Sequence, residues 1–481
     1  MCAQMNRQFD EHVWSGYRTL RVSETRHLNR GKEVVDTGFS VPVSDGFKPA
    51  TELRIVSMDE NLLVEIPSQF YDLTLKSGML GGRVAFIVDS MPAQGLAEFR
   101  LYYGNPRAEA PAYPEALKVS SGGEGPQHLV IENEFYKIET MPQSGQIWHV
   151  WNKKGSNKSW HHNEWNVNKD KGGDPCHWAP NCWAAYPERI TNGYDVLAGG
   201  EDIDLIEWNY AFGWQNPECR IISGPVFYEI TRRGVVWPHP EHTNPHIKRD
   251  SSAFVEASVT YRFYGDLPWF YQSSILETVK DMRCFFIRNC QFVFLAKTFS
   301  HTFIAPEQTG LLPSDEVDVA VLRLMGQIDR KPYTHQQHSL SNVLPAKLAY
   351  YGLYNEDTTD GFGLFQISEE NSNRYRGEPV CQNHATLFSE LPGWSAYYCR
   401  SFSYTNQRYN PENSTFLPKG ERYEEENICL LFKHNSLSDT LSTVKNYDQC
   451  LKHPLESTWG ACSPMRKVGI MNEVISKLRK I

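Results

Sequence analysis

Short apolar runs that alternate with polar residues and stop at turn residues dominate the first 115 positions of this sequence. GYRTLRVSE, KEVVDTGFSV, ATELRIVS, GRVAFIVDS and AEFRLYYG follow one another, separated by SDG, GG, PAQG and GNP. A period of two puts one face of a strand in a core and the other in water, and it does not suit a helix of period 3.6. Strands at this spacing, with no helical segment between them, predict an immunoglobulin-like β-sandwich over residues 1–115. The turn Gly104-Asn105-Pro106 closes the last of these strands. Residues 106–126 are rich in Pro, Ala, Gly and Ser, which predicts a linker, placed at 116–126.

A second β-rich unit is expected from 127 to 435. HLVIENEFYKIETMPQSGQIWHVWNKKG reads as two strands around a turn at Pro142 to Gly145. VTYRFYGDLPWFYQSSILE reads as a hairpin over Gly265-Asp266-Leu267-Pro268. Only the tail, residues 436–481, looks helical, with Ser438 or Asp439 as its N-cap. The fold class is therefore mostly β: a sandwich, a larger β unit and a short C-terminal helix.

The 481 residues allow about two to four domains. A net charge of −9 argues against nucleic acid or an anionic membrane as partner, because both need a positive field. The 11 cysteines include no C-x-x-C pair, which argues against a disulfide framework or a structural zinc site. Reduced thiols and a start without an apolar signal segment fit a cytoplasmic protein. A start that omits upstream residues would fit secretion or the periplasm as well. The longest apolar run, CFFIRNCQFVFLA, is broken by Arg288 and is too short to span a membrane.

IENEFYKIETMPQSGQIWHVWNKK resembles the opening of the large β-supersandwich of the galactose-mutarotase-like superfamily. Asn133, Glu134, Tyr136, Ile138, Ser144, Gly145 and Ile147 fall on that pattern. YRFYGDLPWFYQSSILE resembles the superfamily's strand–turn–strand, with Gly265 one place early. The superfamily includes the C-terminal region of α-mannosidases and the catalytic sandwich of several polysaccharide lyases. The resemblance covers about residues 127–435 and implies a fold and sugars as the substrate class. Its motifs record strands and turns and carry no chemistry of their own. In mannosidase-type proteins a catalytic barrel of about 250 residues precedes the sandwich. The 126 residues before it here are too few for one, so a mannosidase mechanism is not expected. The site is expected on the supersandwich or between the two lobes.

The segment GGDPCHWAPNCWAAYPERI, residues 172–190, holds aromatic, cationic and acidic side chains among prolines and glycines. Neither a helix nor an unbroken central strand fits it, so a ligand-facing loop is expected. Tryptophan and tyrosine stack on the apolar face of a pyranose, and planar polar groups bind its hydroxyl edge. Trp178 and Trp183 are the stacking candidates. Asp174, Asn181 and Tyr264 are the edge-binding candidates.

β-Elimination beside a uronate needs a carboxylate neutraliser, a base for the C5 proton and an acid for the leaving oxygen. His177 or His301 is the candidate base and Tyr186 the candidate acid. Arg189, Arg288 and Asn289 are the carboxylate binders. An ion pair between Arg288 and Glu277 is the structural alternative for that arginine. Hydrolysis needs two facing carboxylates, and Asp174, Glu188, Asp202, Asp204 and Glu207 are available for it. Epimerisation on the same fold and a non-catalytic sugar-binding role remain the other readings. His239, His242 and His246 sit among prolines in what reads as a solvated loop, without metal-ligand spacing. No cofactor is expected, and calcium near Asp170 and Asp174 has no motif behind it.

Overall fold

A computed structural model gives the fold. The structure describes residues 9–59, 62–142, 144–160, 181–185, 206–210, 217–235, 237–238, 255–295, 299–304, 312–313, 350–371, 374–375, 378–379, 384–389, 394–402 and 415–465, and strand counts refer to these.

Two sheets make the N-terminal sandwich. One runs in the order Glu456–Pro464, Gly16–Ser23, Leu96–Tyr103, Leu53–Asp59, Leu62–Ile66, and the other Glu33–Pro42, Met79–Val88, Ser68–Lys76. Every strand expected from alternation is present, and Leu62–Ile66 and Ser68–Lys76 are added to them. Leu20, Val22, Val35, Phe39, Ile55, Val84, Phe86 and Leu101 point between the two sheets and are buried there.

The outer strand of the larger sheet comes from the far end of the chain. Glu456–Pro464 runs antiparallel to Gly16–Ser23, with Gly16 opposite Pro464 and Ser23 opposite Glu456. The expected helical tail is thus a helix, Leu437–Lys452, followed by a strand of the N-terminal sandwich. The N-cap is Ser436 and not Ser438 or Asp439. A cap oxygen must reach an unpaired N–H of the first turn, and Ser436 Oγ accepts from Asp439 N at 3.2 Å. At the other end of the helix, Arg30 donates to the carbonyl oxygens of Cys450 and His453 at 3.2 and 2.6 Å. Carbonyls are unpaired there and a cation is favoured. Arg30 is itself held by Glu24 and Glu33.

The expected linker is partly a strand. Lys118–Ser121 pairs with Leu129–Glu132 and forms the edge of a four-stranded sheet that continues through Tyr136–Thr140 and Ile147–Asn152. The turn between the last two strands forms where expected, with the Met141 N–H donating to the Gln146 carbonyl and Gly145 at φ +71°. A nine-stranded sheet runs Glu218–Ser223, Phe227–Val235, Val255–Tyr264, Trp269–Thr278, Arg422–Lys433, Asp360–Asn371, Tyr350–Tyr354, His301–Ile304, Leu312–Pro313. The hairpin over Gly265 to Pro268 forms as read, with Phe263 opposite Phe270. A seven-stranded sheet is described with the site below.

The sandwich and the nine-stranded sheet share a core. Tyr71 and Ala85 of the sandwich are buried with Phe227, Tyr264, Trp269, Phe365 and Leu430. Arg262 crosses the junction. Its guanidinium pairs with Asp36 at 2.8 Å and Glu229 at 2.7 Å and lies over the rings of Phe227 and Tyr71. Tyr71 Oη donates to Asp36 at 2.5 Å.

Removing one partner of a buried ion pair strands the other charge. Arg262→Ala is expected to lower stability by about 3 kcal/mol, read from urea denaturation. A second expectation concerns acid. Burial alone would raise the Glu24 carboxyl. Hydrogen bonds from the backbone of Gln94, Arg26 and Leu28 and from the Arg30 guanidinium outweigh it and hold the pKa down at about 2. The unfolded chain binds this proton more tightly than the folded one. The stabilisation is therefore complete above the ordinary carboxylate value of 4.5 and is lost as pH falls through about 2. The urea midpoint of Glu24→Gln is expected to change less with pH across this window than that of the natural chain.

Candidate functional site

The seven-stranded sheet runs Trp237–Pro238, Ile206–Tyr210, Asn181–Ala185, Met282–Leu295, Trp394–Phe402, His384–Ser389, with Thr415–Leu417 also paired to Met282–Leu295. Its register aligns chemistry-bearing residues in one row. Trp237 stands opposite Tyr210, Tyr210 opposite Asn181, and Asn181 opposite Arg288. Arg288 stands opposite Ser401, and Ser401 opposite His384. Residues directly opposite one another share a face of the sheet. Strands lie about 4.8 Å apart, so Tyr210 and Arg288 are roughly 10 Å from each other with Asn181 between them.

A second row runs beside the first, two residues along each strand. Trp208 stands opposite Trp183, and Trp183 opposite Phe286. A step of two residues returns to the same face. The two rows therefore hold register positions two residues apart on the same strands.

Asn181–Ala185 corrects the reading of segment 172–190 as a loop throughout. It is an inner strand, paired on one side to Ile206–Tyr210 and on the other to Met282–Leu295. Pro180 and Pro187 stand outside its ends, so the prolines bracket the strand and do not break its ladder.

Arg288 sits next to a β-bulge. The register passes from Arg288–Ser401 to Gln291–Cys399, which leaves Asn289 and Cys290 against Arg400. Bulges re-aim side chains and gather near active sites. Both register neighbours of Arg288, Asn181 and Ser401, are uncharged. Glu277, the carboxylate expected to neutralise it, lies in the nine-stranded sheet opposite Glu256 and Arg422.

Two expected site residues stand elsewhere. His301 opens a strand of the nine-stranded sheet, opposite Tyr354 and Pro313, and its Nδ1 is 2.9 Å from Ser300 Oγ. A meander that would carry it beside Arg288 and Asn289 does not occur, because the two strands belong to different sheets. Tyr264 is 4% exposed. Its ring packs on Trp269 and Phe227, and its carbonyl accepts from Asn133 Nδ2 at 2.8 Å and Tyr136 Oη at 3.1 Å. Burial pushes its phenol up to about 12. It is a core residue and does not face a ligand. Asp174, His177, Trp178, Tyr186 and Arg189 lie outside the described residues, as do Glu188, Asp202, Asp204 and the histidines of 239–246. Among the described residues no cluster of His, Cys, Asp or Glu is placed to hold a metal.

Of the residues singled out in the sequence, Asn181, Trp183 and Arg288 fall on neighbouring register positions, together with Tyr210, Ser401 and His384, which the sequence reading did not single out. The last two lie in YYCRSF and HATLFS, whose alternation marks strands without revealing which residues face Arg288.

No protein-family model matches the sequence, and no curated protein matches it. The fold has solved counterparts. A protein of glycosyl hydrolase family 38 from Enterococcus faecalis superposes with a TM-score of 0.50 at 12% identity, over 94% of this chain and 49% of that one. An alpha-mannosidase from Enterococcus faecalis V583 gives 0.50 at 12% identity, over 96% of this chain and 47% of that one. This chain thus spans about half the length of each. A galactose mutarotase-like protein from Lactobacillus casei is covered in full by 63% of this chain, at 13% identity and a TM-score of 0.35. The likeness to the two Enterococcus faecalis structures, at 12% identity, is one of fold alone.

The assignment of Tyr264 to the core predicts its mutational effect. Tyr264→Ala should lower stability by about 3 kcal/mol, measured by chemical denaturation.

Proposed function

We propose that the protein is a carbohydrate-active enzyme that cleaves an acidic oligosaccharide by β-elimination beside a uronate. The register row Tyr210–Asn181–Arg288–Ser401–His384 is the observation that carries this reading. Arg288, with Asn181 beside it, takes the uronate carboxylate. A cation and an amide donor there disperse the charge that builds on the carboxylate when the C5 proton leaves. Tyr210, one strand beyond Asn181, takes that proton. The electron pair of the broken C5–H bond forms the C4–C5 double bond. The C4–O bond breaks, and its oxygen leaves with the proton that Tyr210 returns. His384, two strands beyond Arg288, binds the adjoining sugar. The Trp208, Trp183 and Phe286 row offers flat faces for the rings.

One observation favours hydrolysis as a second reading. Glu369 holds the register position opposite the buried Glu425 on adjacent strands of the nine-stranded sheet. A retaining glycosidase needs a facing pair of carboxylates, and these two hold opposed register positions.

Uronate-containing glycans incubated with the protein, followed by ultraviolet absorbance of the unsaturated product and by reducing-end release, separate the readings. Absorbance is expected, with Arg288→Ala and Tyr210→Phe each lowering kcat by about 100-fold or more while circular dichroism is unchanged. Reducing ends without absorbance, abolished by Glu425→Gln, would replace elimination with hydrolysis. Binding without turnover would leave a sugar-binding protein.

A further inference from the structure

Arg232 lies in strand Phe227–Val235 of the nine-stranded sheet, opposite Cys219 on the edge strand and Val259 on the other side. It is 1% exposed. Its Nε–H donates to Gln127 Oε1 at 2.8 Å, while Nη1 and Nη2 meet no acceptor among the described residues. The ionisable groups that act on it are Cys219, Tyr261 and Tyr228, none of them a carboxylate. Burial pushes its pKa down, the direction expected of a guanidinium without a counter-ion.

The turn that carries Gly145 is built around this group. A Cβ at Gly145 would stand 2.2 Å from the guanidinium carbon, and the residue has φ +71°. Only a glycine lets the backbone lie against the arginine in this conformation. The next residue, Gln146, is fully buried. It accepts the Tyr261 hydroxyl on Oε1 at 2.7 Å and leaves Nε2 without a partner. Three buried donor atoms, one pair of them charged, therefore stand at one turn with no acceptor for them among the described residues. Native interiors rarely leave donors in this state, and a charged donor least of all.

We propose that Arg232 and Gln146 form an anion-binding site that takes a carboxylate or a small inorganic oxyanion. The anion accepts two parallel N–H bonds from Nη1 and Nη2, the fork geometry that suits oxygen pairs, and a third from Gln146 Nε2. Half-buried Gln127 links Arg232 to the exposed Cys219, since its Oε1 accepts from both. The site is on a different sheet from the Asn181–Arg288 row and stands whether or not that row is catalytic.

Calorimetric titration of the full chain at fixed ionic strength tests it, with sodium phosphate, sodium sulfate, sodium glucuronate and, as the neutral control, methyl glucoside. Saturable binding of at least one anion is expected, weakened at least about tenfold in Arg232→Met and several-fold in Gln146→Leu. Phosphate or sulfate binding identifies an inorganic occupant, and glucuronate binding alone identifies a sugar carboxylate. Gln127→Ala, which removes the amide bonded to Arg232 and leaves the donors of Arg232 and Gln146, is expected to keep saturable anion binding. It also keeps the test open should Arg232→Met fail to fold. No saturable anion binding by the natural chain, equal affinity in Arg232→Met, or equal binding of methyl glucoside overturns the proposal.

Discussion

The arrangement of the two halves depends on where one guanidinium is neutralised. Arg262 belongs to the nine-stranded sheet, and one of its two carboxylates, Asp36, belongs to the N-terminal sandwich. Glu229 is buried and Arg262 only partly exposed, so losing a partner strands a charge, and the pairing ties the sandwich to the sheet. Tyr71 and Phe227 close over it, and their rings meet edge to face at 5.3 Å. The shared apolar core then extends from Ala85 through Phe227 to Leu430. The polar contact sets direction, and the apolar contacts supply the burial that holds it.

Much of the fold was legible because strands and turns announce themselves locally. Gly16–Ser23, Glu33–Pro42 and Leu96–Tyr103 alternate cleanly, and the hairpin at Gly265 to Pro268 carries its own turn residues. Lys118–Ser121 did not announce itself, because a four-residue edge strand among Gly, Pro and Ser has the composition of a linker. Glu456–Pro464 was hidden differently. Its sheet is completed by residues at the opposite end of the sequence, and no local pattern encodes a partner that distant.

The candidate site shows the same division. Arg288 was conspicuous because a cation inside an apolar run needs a reason. Asn181 and Trp183 were conspicuous because large polar and aromatic residues crowded a proline-rich segment. That Asn181 lies directly across from Arg288, and Tyr210 across from Asn181, follows from pairing alone. Pairing is a property of the whole sheet. Tyr264 shows the converse error, since a tyrosine at a hairpin corner reads as available to ligand until the core that surrounds it is seen.

The return of the chain to its first sheet has a consequence for biogenesis. Arg18 and Gly460, which bond across the two end strands, are separated by 442 positions. During synthesis from the N-terminus, strand Gly16–Ser23 is delivered long before the strand that covers its outer edge. Until then its open N–H and C=O groups can pair with any other extended chain. Contacts of such long range also form slowly. Arg30, bound to the carbonyls at the end of the helix that leads into the last strand, gives that strand a fixed point of return. The described strands thus close a circuit in space, and the first sheet is complete only when Glu456–Pro464 has joined it.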